Sequence, residues 1–275
     1  MKMNILRLKI YQPQAHYRIP FTYLRRHTYP LPPYSTVIGF IVNALGIFNQ
    51  EDDLYKNGIK KLKISIAGRF DSKTTEYIWF RNLGKDSHKS RFGYLENREL
   101  NGHIEHIGGQ SPMSIDVLNE VRLVIYLYHT DLNYLNKIKE GISNPVNRLE
   151  ILHLGRAEDW IVFEEEPKLL SIDNFEFNCS DADYKHFFWI PEKIFQFDNY
   201  KIDYQQFDGL LYNLTTFCEI ENYQETFNRH GVRKFEYMRT KLNDGKIKGA
   251  ELIIDKELKL PIFLGDFNGT GQNMG

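Results

Sequence analysis

The chain has no hydrophobic run long enough to cross a membrane. Its longest nearly apolar stretch among 275 residues is Val37 to Phe48, which is interrupted by Asn43, whereas a spanning helix needs about 20 apolar residues. The first ten residues interleave Lys2, Arg7 and Lys9 with apolar side chains, so they lack the apolar block of a signal peptide. These absences argue against a membrane protein, and the two widely separated cysteines predict a reducing cytoplasm.

Cysteine is also scarce, and the common catalytic motifs are missing. Cys179 and Cys218 are far apart in the sequence, so they fit neither a disulfide framework nor a metal-binding spacing. No Gly-x-Ser-x-Gly, His-Glu-x-x-His or Walker pattern occurs, and Gly269-x-Gly271 lacks the strand, helix and lysine of a phosphate loop. We therefore expect no cofactor and no metal.

Acidic residues are absent from the first 50 positions. That segment holds six basic residues, and Glu51 is the first acid in the chain. Residues 1–163 carry 22 Lys and Arg against 16 Asp and Glu, whereas residues 164–275 carry 13 against 20, for a net charge of −1. A basic half of this kind attracts polyanions through counterion release, although charge blocks are commonly just solvated surface.

Regular patterns fill most of the first 165 residues. Residues 4–11 alternate apolar and basic side chains, which is typical of a half-buried strand with Arg7 and Lys9 on its open face. Apolar residues recur at helical spacing after two prolines, and Ser35 fits an N-cap, so we predict a helix over 36–48. Further patterns predict strands at 61–70, 76–82 and 120–129, a helix at 132–142, and strand-like segments at 149–154 and 159–163.

This order predicts an α+β fold in two parts. Residues 1–165 fit a ferredoxin-like, RRM-like sheet with two helices on one face, and the long polar segment 83–111 fits a hairpin insertion. Residues 166–275 are acidic and predict a smaller β-rich C-terminal domain. Its short strand-like segments are 175–178, 186–190, 194–197, 251–255 and 262–265.

The acid-free segment contains the best candidates for anion contacts. Arg25, Arg26 and His27 lie just before the first predicted helix, and arginine is a permanently charged, forked phosphate ligand. At the start of that helix, the backbone N–H groups of Ser35 and Thr36 also favour anions. The alternative is a solvated loop with a simple helix cap.

Aromatic side chains in loops are candidates for stacking on bases. We predict that Tyr29, Tyr34 and Tyr94 lie in loops, whereas most other aromatic residues of the basic half belong to the core.

Histidines offer weaker candidates. His103-x-x-His106 could bind a metal or act as an acid/base pair, but no cysteine or clustered carboxylate completes a metal site. Metal-free RNA cleavage needs a His or Lys facing the scissile 2′-hydroxyl. His27, His103 and His153 are possible, and no pair is singled out.

Two segments resemble a known family when they are taken together. Residues 17–46, YRIPFTYLRRHTYPLPPYSTVIGFIVNALG, combine an Arg-bearing loop, a Pro-Pro-x-Ser/Thr-Thr turn and a Gly-containing apolar helix that ends in Leu-Gly. Residues 153–161, HLGRAEDWI, contain a Leu-Gly-Arg-x-Glu-Asp segment. Both resemble signatures of the Cas-five family of CRISPR-associated proteins, in the RAMP superfamily. The resemblance covers about the first 165 residues.

The resemblance implies particular RNA contacts. Carried onto this chain, the contacts to the 5′ handle of the crRNA are Arg25, Arg26, His27, Ser35, Thr36 and Arg156. Arg156 could equally form a structural ion pair with Glu158 or Asp159. We add Tyr34 to these contacts as a candidate for stacking on a base. We also add Arg81 and Lys85, because of their charge and their position in the sequence and not because of a motif. The segment 83–111, with Lys89 and Arg91, corresponds to the family's thumb hairpin.

The resemblance also implies a function and partners. Such proteins are subunits of a type I Cascade complex, for which subtype I-B is one candidate here. They cap the crRNA 5′ handle beside the backbone subunit and the large subunit, and they meet target DNA through the guide duplex. We expect a non-catalytic RNA-binding subunit in antiviral defence. The alternatives are a metal-independent endoribonuclease that processes precursor crRNA and an unrelated RRM-like RNA-binding module.

Overall fold

The structure is a strand-rich α+β fold. The computed structural model describes residues 3–22, 25–82, 99–100, 103–104, 109–197, 201–220 and 233–267. The strands are Asn4–Ala15 (β1), Tyr17–Arg18 (β2), Arg25–Arg26 (β3), Thr28–Tyr29 (β4), Lys63–Arg69 (β5), Ser72–Asn82 (β6), Glu99–Leu100 (β7), His103–Ile104 (β8), Gly109–Tyr128 (β9), Val162–Phe163 (β10), Lys168–Ser171 (β11), Phe175–Asp183 (β12), Phe187–Pro191 (β13), Leu210–Ile220 (β14), Arg233–Asn243 (β15), Lys246–Asp255 (β16) and Leu260–Pro261 (β17). The helices are Tyr34–Leu45 (α1) and Leu132–Ser143 (α2), with short helical turns at Leu54–Gly58, Ile59–Lys61, Ile172–Asn174 and Tyr204–Gln206.

One large sheet contains strands from both halves of the chain. Its strand order is β10-β1-β9-β5-β13-β15-β14, with β11 beside β1 and with β3 and β6 beside β9. The pairs are antiparallel except for β3 with β9. The expected boundary near residue 165 therefore does not separate two sheets, because β11 and β13 to β15 follow it in sequence and continue the same sheet.

The two helices cover one face of this sheet. Leu6, Leu8 and Ile10 of β1 are fully buried in a core shared with α1 and α2. α1 begins at Tyr34, with Pro33 as its N-cap. The expectation that Ser35 caps the helix is therefore wrong. α1 ends at Leu45 and is capped by Gly46, whose φ of 72° is left-handed, and a Cβ on Gly46 would lie 2.2 Å from the Asn147 carbonyl oxygen.

The opposite face is covered by the acidic half, which corrects the expected environment of β1. A second core includes Ile5 together with apolar residues of β12 and β16. Arg7 has a side-chain exposure of 0% and forms ion pairs with Asp255 at 2.8 Å, Glu165 at 2.8 Å and Glu257 at 3.0 Å. The prediction of an open, basic face on β1 is wrong for Arg7, because distant carboxylates cover it.

Ion pairs across the halves explain part of the charge asymmetry. Lys9 lies 3.8 Å from Glu165 and Lys60 lies 3.0 Å from Glu219. Lys63 pairs with Asp266 and Arg122 pairs with Glu164. Counting Arg7, five basic residues of the first half are therefore paired with carboxylates of the second half within the described residues. This leaves a smaller set of cations for an external anion.

The strand β6 and the first half of β9 form a long hairpin that we call the arm. Their register runs from Ser72↔Asn119 to Asn82↔Gly109. The segment expected to insert a hairpin, residues 83–111, follows β6 in the sequence, and within it β7 pairs with β8. Residues 83–98, 101–102 and 105–108 lie outside the described residues. Within the described part of the chain, no helix is long and apolar enough to be a membrane span.

Candidate nucleic-acid interface

A polar pocket opens where the N-terminal segment meets the start of α1. Its volume is about 310 Å³. Three arginines and the first turn of α1 contribute to it, which makes its character cationic, and we call it the basic pocket. Its lining residues are His16, Tyr17, Arg18, Pro20, Arg26, Tyr29, Pro33, Ser35, Thr36, Ile115, Gly155, Arg156 and Thr215.

The segment expected to be a loop is held against the sheet by short strands. β2 pairs with β4, so that Tyr17 lies opposite Tyr29. The backbone N–H of Ile19 donates to the carbonyl of His27 at 2.9 Å. β3 runs parallel to β9, with Arg25 beside Ser114. These pairings fix the backbone that carries the basic side chains.

Strand alternation separates the three consecutive basic residues. Neighbouring residues of a strand point to opposite faces of the sheet. Arg26 lines the basic pocket, whereas Arg25 and His27 reach the carboxylate of Asp116 on the other face, at 3.5 and 2.9 Å. The structure therefore brings one of these three predicted contacts, Arg26, to the pocket.

Asp116 is buried on that other face and surrounded by cations. Its side chain is 1% exposed, accepts a hydrogen bond from Thr75 at 3.0 Å, and lies 3.6 Å from the ammonium group of Lys73. Burial alone would raise the pKa of Asp116. The hydrogen bonds from His27 and Thr75, together with the Lys73 and Arg25 charges, lower it below its usual value. Asp116 therefore stays ionised and positions Arg25 and His27.

The Leu-Gly-Arg-x-Glu-Asp segment forms a tight turn at the pocket wall. Gly155 has a φ of 119°, and a Cβ there would lie 2.6 Å from Asp159 Oδ2 and 3.0 Å from the His16 carbonyl oxygen. Arg156 pairs with the buried Asp159 through Nη2–Oδ1 at 2.8 Å and Nε–Oδ1 at 3.1 Å. Its Nη1 lies 3.4 Å from Glu158. Sequence analysis gave a structural ion pair of Arg156 with Glu158 or Asp159 as an alternative to RNA contact, and the structure contains both of these pairs.

Asp159 ties this turn to the end of β1. Its Oδ2 accepts hydrogen bonds from the backbone N–H groups of His16 at 2.9 Å and Arg156 at 2.7 Å. The side-chain amide of Gln12 donates to the carbonyls of Leu154 and Asp159 at 2.9 and 3.0 Å. The wall of the pocket is therefore fixed by buried hydrogen bonds from the sheet.

His16 contributes a buried imidazole to the pocket. Its Nδ1 lies 2.7 Å from the Asp116 carbonyl. A carbonyl only accepts, so we assign the proton to Nδ1. Burial lowers the pKa of His16, and the nearby charges of Arg156 and Arg26 lower it further, outweighing the hydrogen bond to Asp116 that raises it. His16 is therefore neutral at pH 7.

The first turn of α1 brings Ser35 and Thr36 to the pocket, as expected for an anion site. The start of a helix carries positive partial charge, and in this structure the Thr36 backbone N–H already donates to the Pro33 carbonyl at 3.0 Å. The Ser35 hydroxyl is hydrogen-bonded to the Thr215 hydroxyl at 2.6 Å. This bond links the helix start to β14, a strand that the sequence patterns did not predict.

Two of the three tyrosines expected in loops, Tyr29 and Tyr34, are instead core residues. Tyr34 is the first residue of α1 and is 0% exposed, and its ring packs against Phe267 at a centroid distance of 5.0 Å. Tyr29 is in β4, is 6% exposed and packs against Trp189. The stacking prediction for Tyr34 is corrected, because its ring offers no face to a base in this structure. Tyr94 lies outside the described residues.

Among the remaining predicted contacts, only Arg81 belongs to the residues that the structure describes. Arg81 lies in β6, towards the far end of the arm. Lys85, Lys89 and Arg91 lie outside the described residues, as does His106. Within the described ranges, no three His, Cys, Asp or Glu side chains are grouped so that they could hold a metal.

Sequence reasoning missed three pocket residues. His16 and Arg18 precede the basic loop, and Thr215 comes from the acidic half. Arg18 lies inside the quoted 17–46 segment and His16 directly precedes it, so this segment was the available signal for both. No signal in the sequence pointed to Thr215, because Thr215 and Ser35 are 180 positions apart and are brought together only by the folded sheet.

The comparisons with known proteins agree with the resemblance seen in the sequence. Residues 5–239 match the family model described as CRISPR-associated protein (Cas_Cas5). Because the match spans most of the chain, the chain belongs to this Cas-five family of CRISPR-associated proteins. No curated protein sequence matches the chain.

Three solved structures align with most of this chain. A chain of a CRISPR RNA-guided surveillance complex aligns with a TM-score of 0.51 at 12% identity, over 89% of this chain and 90% of that chain. A CRISPR protein from Archaeoglobus fulgidus aligns at 0.40 and 9% identity, over 96% and 100%. A chain of the type III-B Cmr-beta complex bound to cognate target RNA and AMPPnP aligns at 0.41 and 11% identity, over 90% and 86%. At 12% identity, the similarity to the surveillance-complex chain concerns the fold alone.

Proposed function

We propose that this protein is a non-catalytic subunit of a CRISPR effector complex, and that its basic pocket holds the 5′ handle of the crRNA. The observation that carries the proposal is the convergence of Arg26, Ser35, Thr36 and Arg156 on one pocket. These residues come from two segments more than 100 positions apart, and each was selected as a handle contact from sequence. Membership of the Cas-five family supports the same function.

The electrostatics of the pocket favour a bound phosphate. Burial lowers the pKa of Arg26, and the neighbouring charge of Arg18 lowers it further. A phosphate placed between the two guanidinium groups would relieve both effects and accept charge-assisted hydrogen bonds. Arg156 is the weaker ligand, because Asp159 and Glu158 already balance its charge.

The rest of the proposal concerns assembly. We interpret β1-α1-β5-β9-α2-β10 as a ferredoxin-like unit, an interpretation supported by the strand order β10-β1-β9-β5. The arm corresponds to the thumb that shapes the guide duplex, through which target DNA would be met. The backbone subunit and the large subunit are the expected protein partners of a Cascade complex, in the cytoplasm.

The test is to mix the purified protein with labelled repeat RNA in EDTA and to run native and denaturing gels. We expect a shifted but uncut RNA, with the shift lost when the handle sequence is deleted. The matched variants are Arg26→Gln in the pocket and Arg148→Gln on the exposed surface.

Two outcomes would contradict this proposal. A discrete cut in EDTA would identify a metal-independent endoribonuclease, and His27, His103 and His153 would then be replaced in turn. Equal binding of RNA with and without the handle would favour an unrelated RNA-binding module. If binding requires the backbone subunit, the same comparison is made with the co-purified complex.

A further inference from the structure

The imidazole of His16 holds a buried acceptor atom in the wall of the basic pocket. His16 is 4% exposed, and its Nδ1 donates to the Asp116 carbonyl at 2.7 Å. Because a neutral imidazole carries one proton, Nε2 then holds a lone pair. Nε2 is buried and has no hydrogen-bond partner among the residues that the structure describes. The described protein contacts therefore leave this acceptor unsatisfied.

The surroundings of His16 keep it an acceptor. His16 lines the basic pocket together with Arg26 and Arg156. Burial and the charges of these two arginines lower the pKa of His16, so the ring does not become an imidazolium donor at pH 7. Buried polar atoms nearly always have a hydrogen-bond partner. An unsatisfied acceptor in the wall of a binding pocket therefore points to a donor group on the ligand.

The identity of that donor follows from the chemistry of a nucleic-acid strand. A phosphate does not satisfy Nε2, because its ionised oxygens are acceptors. RNA offers two kinds of donor, the ribose 2′-hydroxyl and the N–H groups of the bases. The 2′-hydroxyl belongs to the sugar–phosphate backbone, so it enters the pocket with any phosphate that Arg26 holds. A base enters only if it also turns towards the protein. The arrangement therefore favours the 2′-hydroxyl.

We propose that His16 Nε2 accepts a hydrogen bond from one ribose 2′-hydroxyl of the bound strand, and that His16 thereby makes the basic pocket select RNA over DNA. This inference rests on the proposed function and deepens it. The arginines attract the phosphates of either backbone, whereas the 2′-hydroxyl distinguishes RNA from DNA at a given site. Because Nε2 is covered in this structure, a small shift of the pocket side chains accompanies binding. Arg26 has the long, flexible side chain that a phosphate would draw aside.

The first experiment changes only the RNA. The Kd of labelled handle RNA is measured by fluorescence anisotropy, with a single 2′-deoxynucleotide placed at each handle position in turn. The loss of one neutral hydrogen bond should weaken binding about 3- to 10-fold at one position. A series in which no position weakens binding overturns the inference. This result is independent of how any protein variant folds.

The second experiment asks whether His16 is the partner of that hydroxyl. In His16→Asn, the side-chain amide can still donate to the Asp116 carbonyl, but the side chain ends before the Nε2 position. Handle RNA should bind about 3- to 10-fold more weakly, and the sensitive deoxy substitution should cost nothing further, because groups in contact are not additive. His186→Asn is the matched control outside the pocket lining, and it should bind both RNAs like the parent protein. Urea unfolding verifies that both variants are folded.

Abasic nucleotides separate the two kinds of donor. An abasic ribonucleotide keeps its 2′-hydroxyl and lacks the base N–H groups. At the sensitive position, the cost of the abasic substitution should be the same in the parent protein and in His16→Asn. If His16→Asn instead removes the abasic cost and leaves the deoxy cost, the partner is a base, and the inference is overturned.

Failure of this inference is distinguishable from failure of the proposed function. Equal binding of RNA with and without the handle contradicts the proposed function. Handle-dependent binding with a deoxy cost that persists unchanged in folded His16→Asn overturns only the role of His16.

Discussion

Arg25 and Arg26 are neighbours in the sequence but lie on opposite faces of the arm. Arg25 Nη2 is 3.5 Å from the buried Asp116 carboxylate, whereas Arg26 lines the basic pocket beside α1. The alternation follows from their place in β3, which runs parallel to β9. One short basic segment therefore supplies cations to two separate surfaces.

The buried ion-pair cluster around Arg7 should be a major contributor to stability. Replacing Arg7 with Met removes the cation but leaves Asp255 buried, which should lower the free energy of unfolding by about 3–5 kcal/mol. Lys9→Met on the same strand is the matched control. Its partner Glu165 is 3.8 Å away and both side chains are partly exposed, so the cost should be below about 1 kcal/mol. Urea unfolding measures both changes, and equal losses would contradict this assignment.

The turn at Gly155 should tolerate no side chain. Gly155→Ala would place a Cβ against Asp159 in a left-handed conformation, at a cost of about 1–3 kcal/mol. RNA affinity should fall as well, because the same turn carries Arg156. The control is Gly39→Ala within α1, where a Cβ meets nothing within 4 Å and alanine favours the helix by about 0.5–1 kcal/mol. Opposite shifts of the unfolding midpoint are expected, and a stable Gly155→Ala protein would refute this account of the turn.

Stability should fall as the pH drops below neutral. Burial lowers the pKa of His16 and His186, so the unfolded chain binds more protons once the pH approaches the ordinary histidine value of about 6.5. Above pH 6.5 both histidines are neutral in the folded and the unfolded chain, so the free energy of unfolding is at its full value. Below about pH 6.5 the unfolded chain takes up protons first, so the free energy of unfolding falls.

The measurement is the urea midpoint at pH 7.5 and pH 5.5. We expect His186→Asn to reduce the loss of unfolding free energy between these two conditions, and the parent protein is measured under the same two conditions for comparison. An identical loss in the parent protein and in His186→Asn would contradict the assignment.

The sequence patterns predicted those helices and strands whose buried face can be recognised from their own residues. The strand at 63–69, the helix at 132–143 and the helix after the two prolines all lie close to their expected positions. Each has an apolar periodicity that matches its own geometry. The coarse α+β class follows from these elements, and the match of residues 5–239 to the family confirms the resemblance drawn from two short motifs.

Contacts made at long range escaped the same reasoning. Arg7 was expected on an open face because the carboxylates that bury it are 158 to 250 positions away. Residues 194–197 were expected to form a strand, but the structure has single bridges at Ile194 and Phe197 there, whereas β14 and β15 were missed. The pocket could be anticipated for Arg26, Ser35, Thr36 and Arg156, but not for Thr215, which reaches it through those two strands.

The central claim is that the basic pocket binds the crRNA handle, and the most direct test is the affinity of handle RNA over a salt series. Losing one phosphate contact in Arg26→Gln should weaken binding by about 10- to 100-fold and reduce the magnitude of the salt slope by about 1, whereas Arg148→Gln should match the parent protein. An unchanged Kd and slope in Arg26→Gln, measured on a folded protein, would contradict the claim.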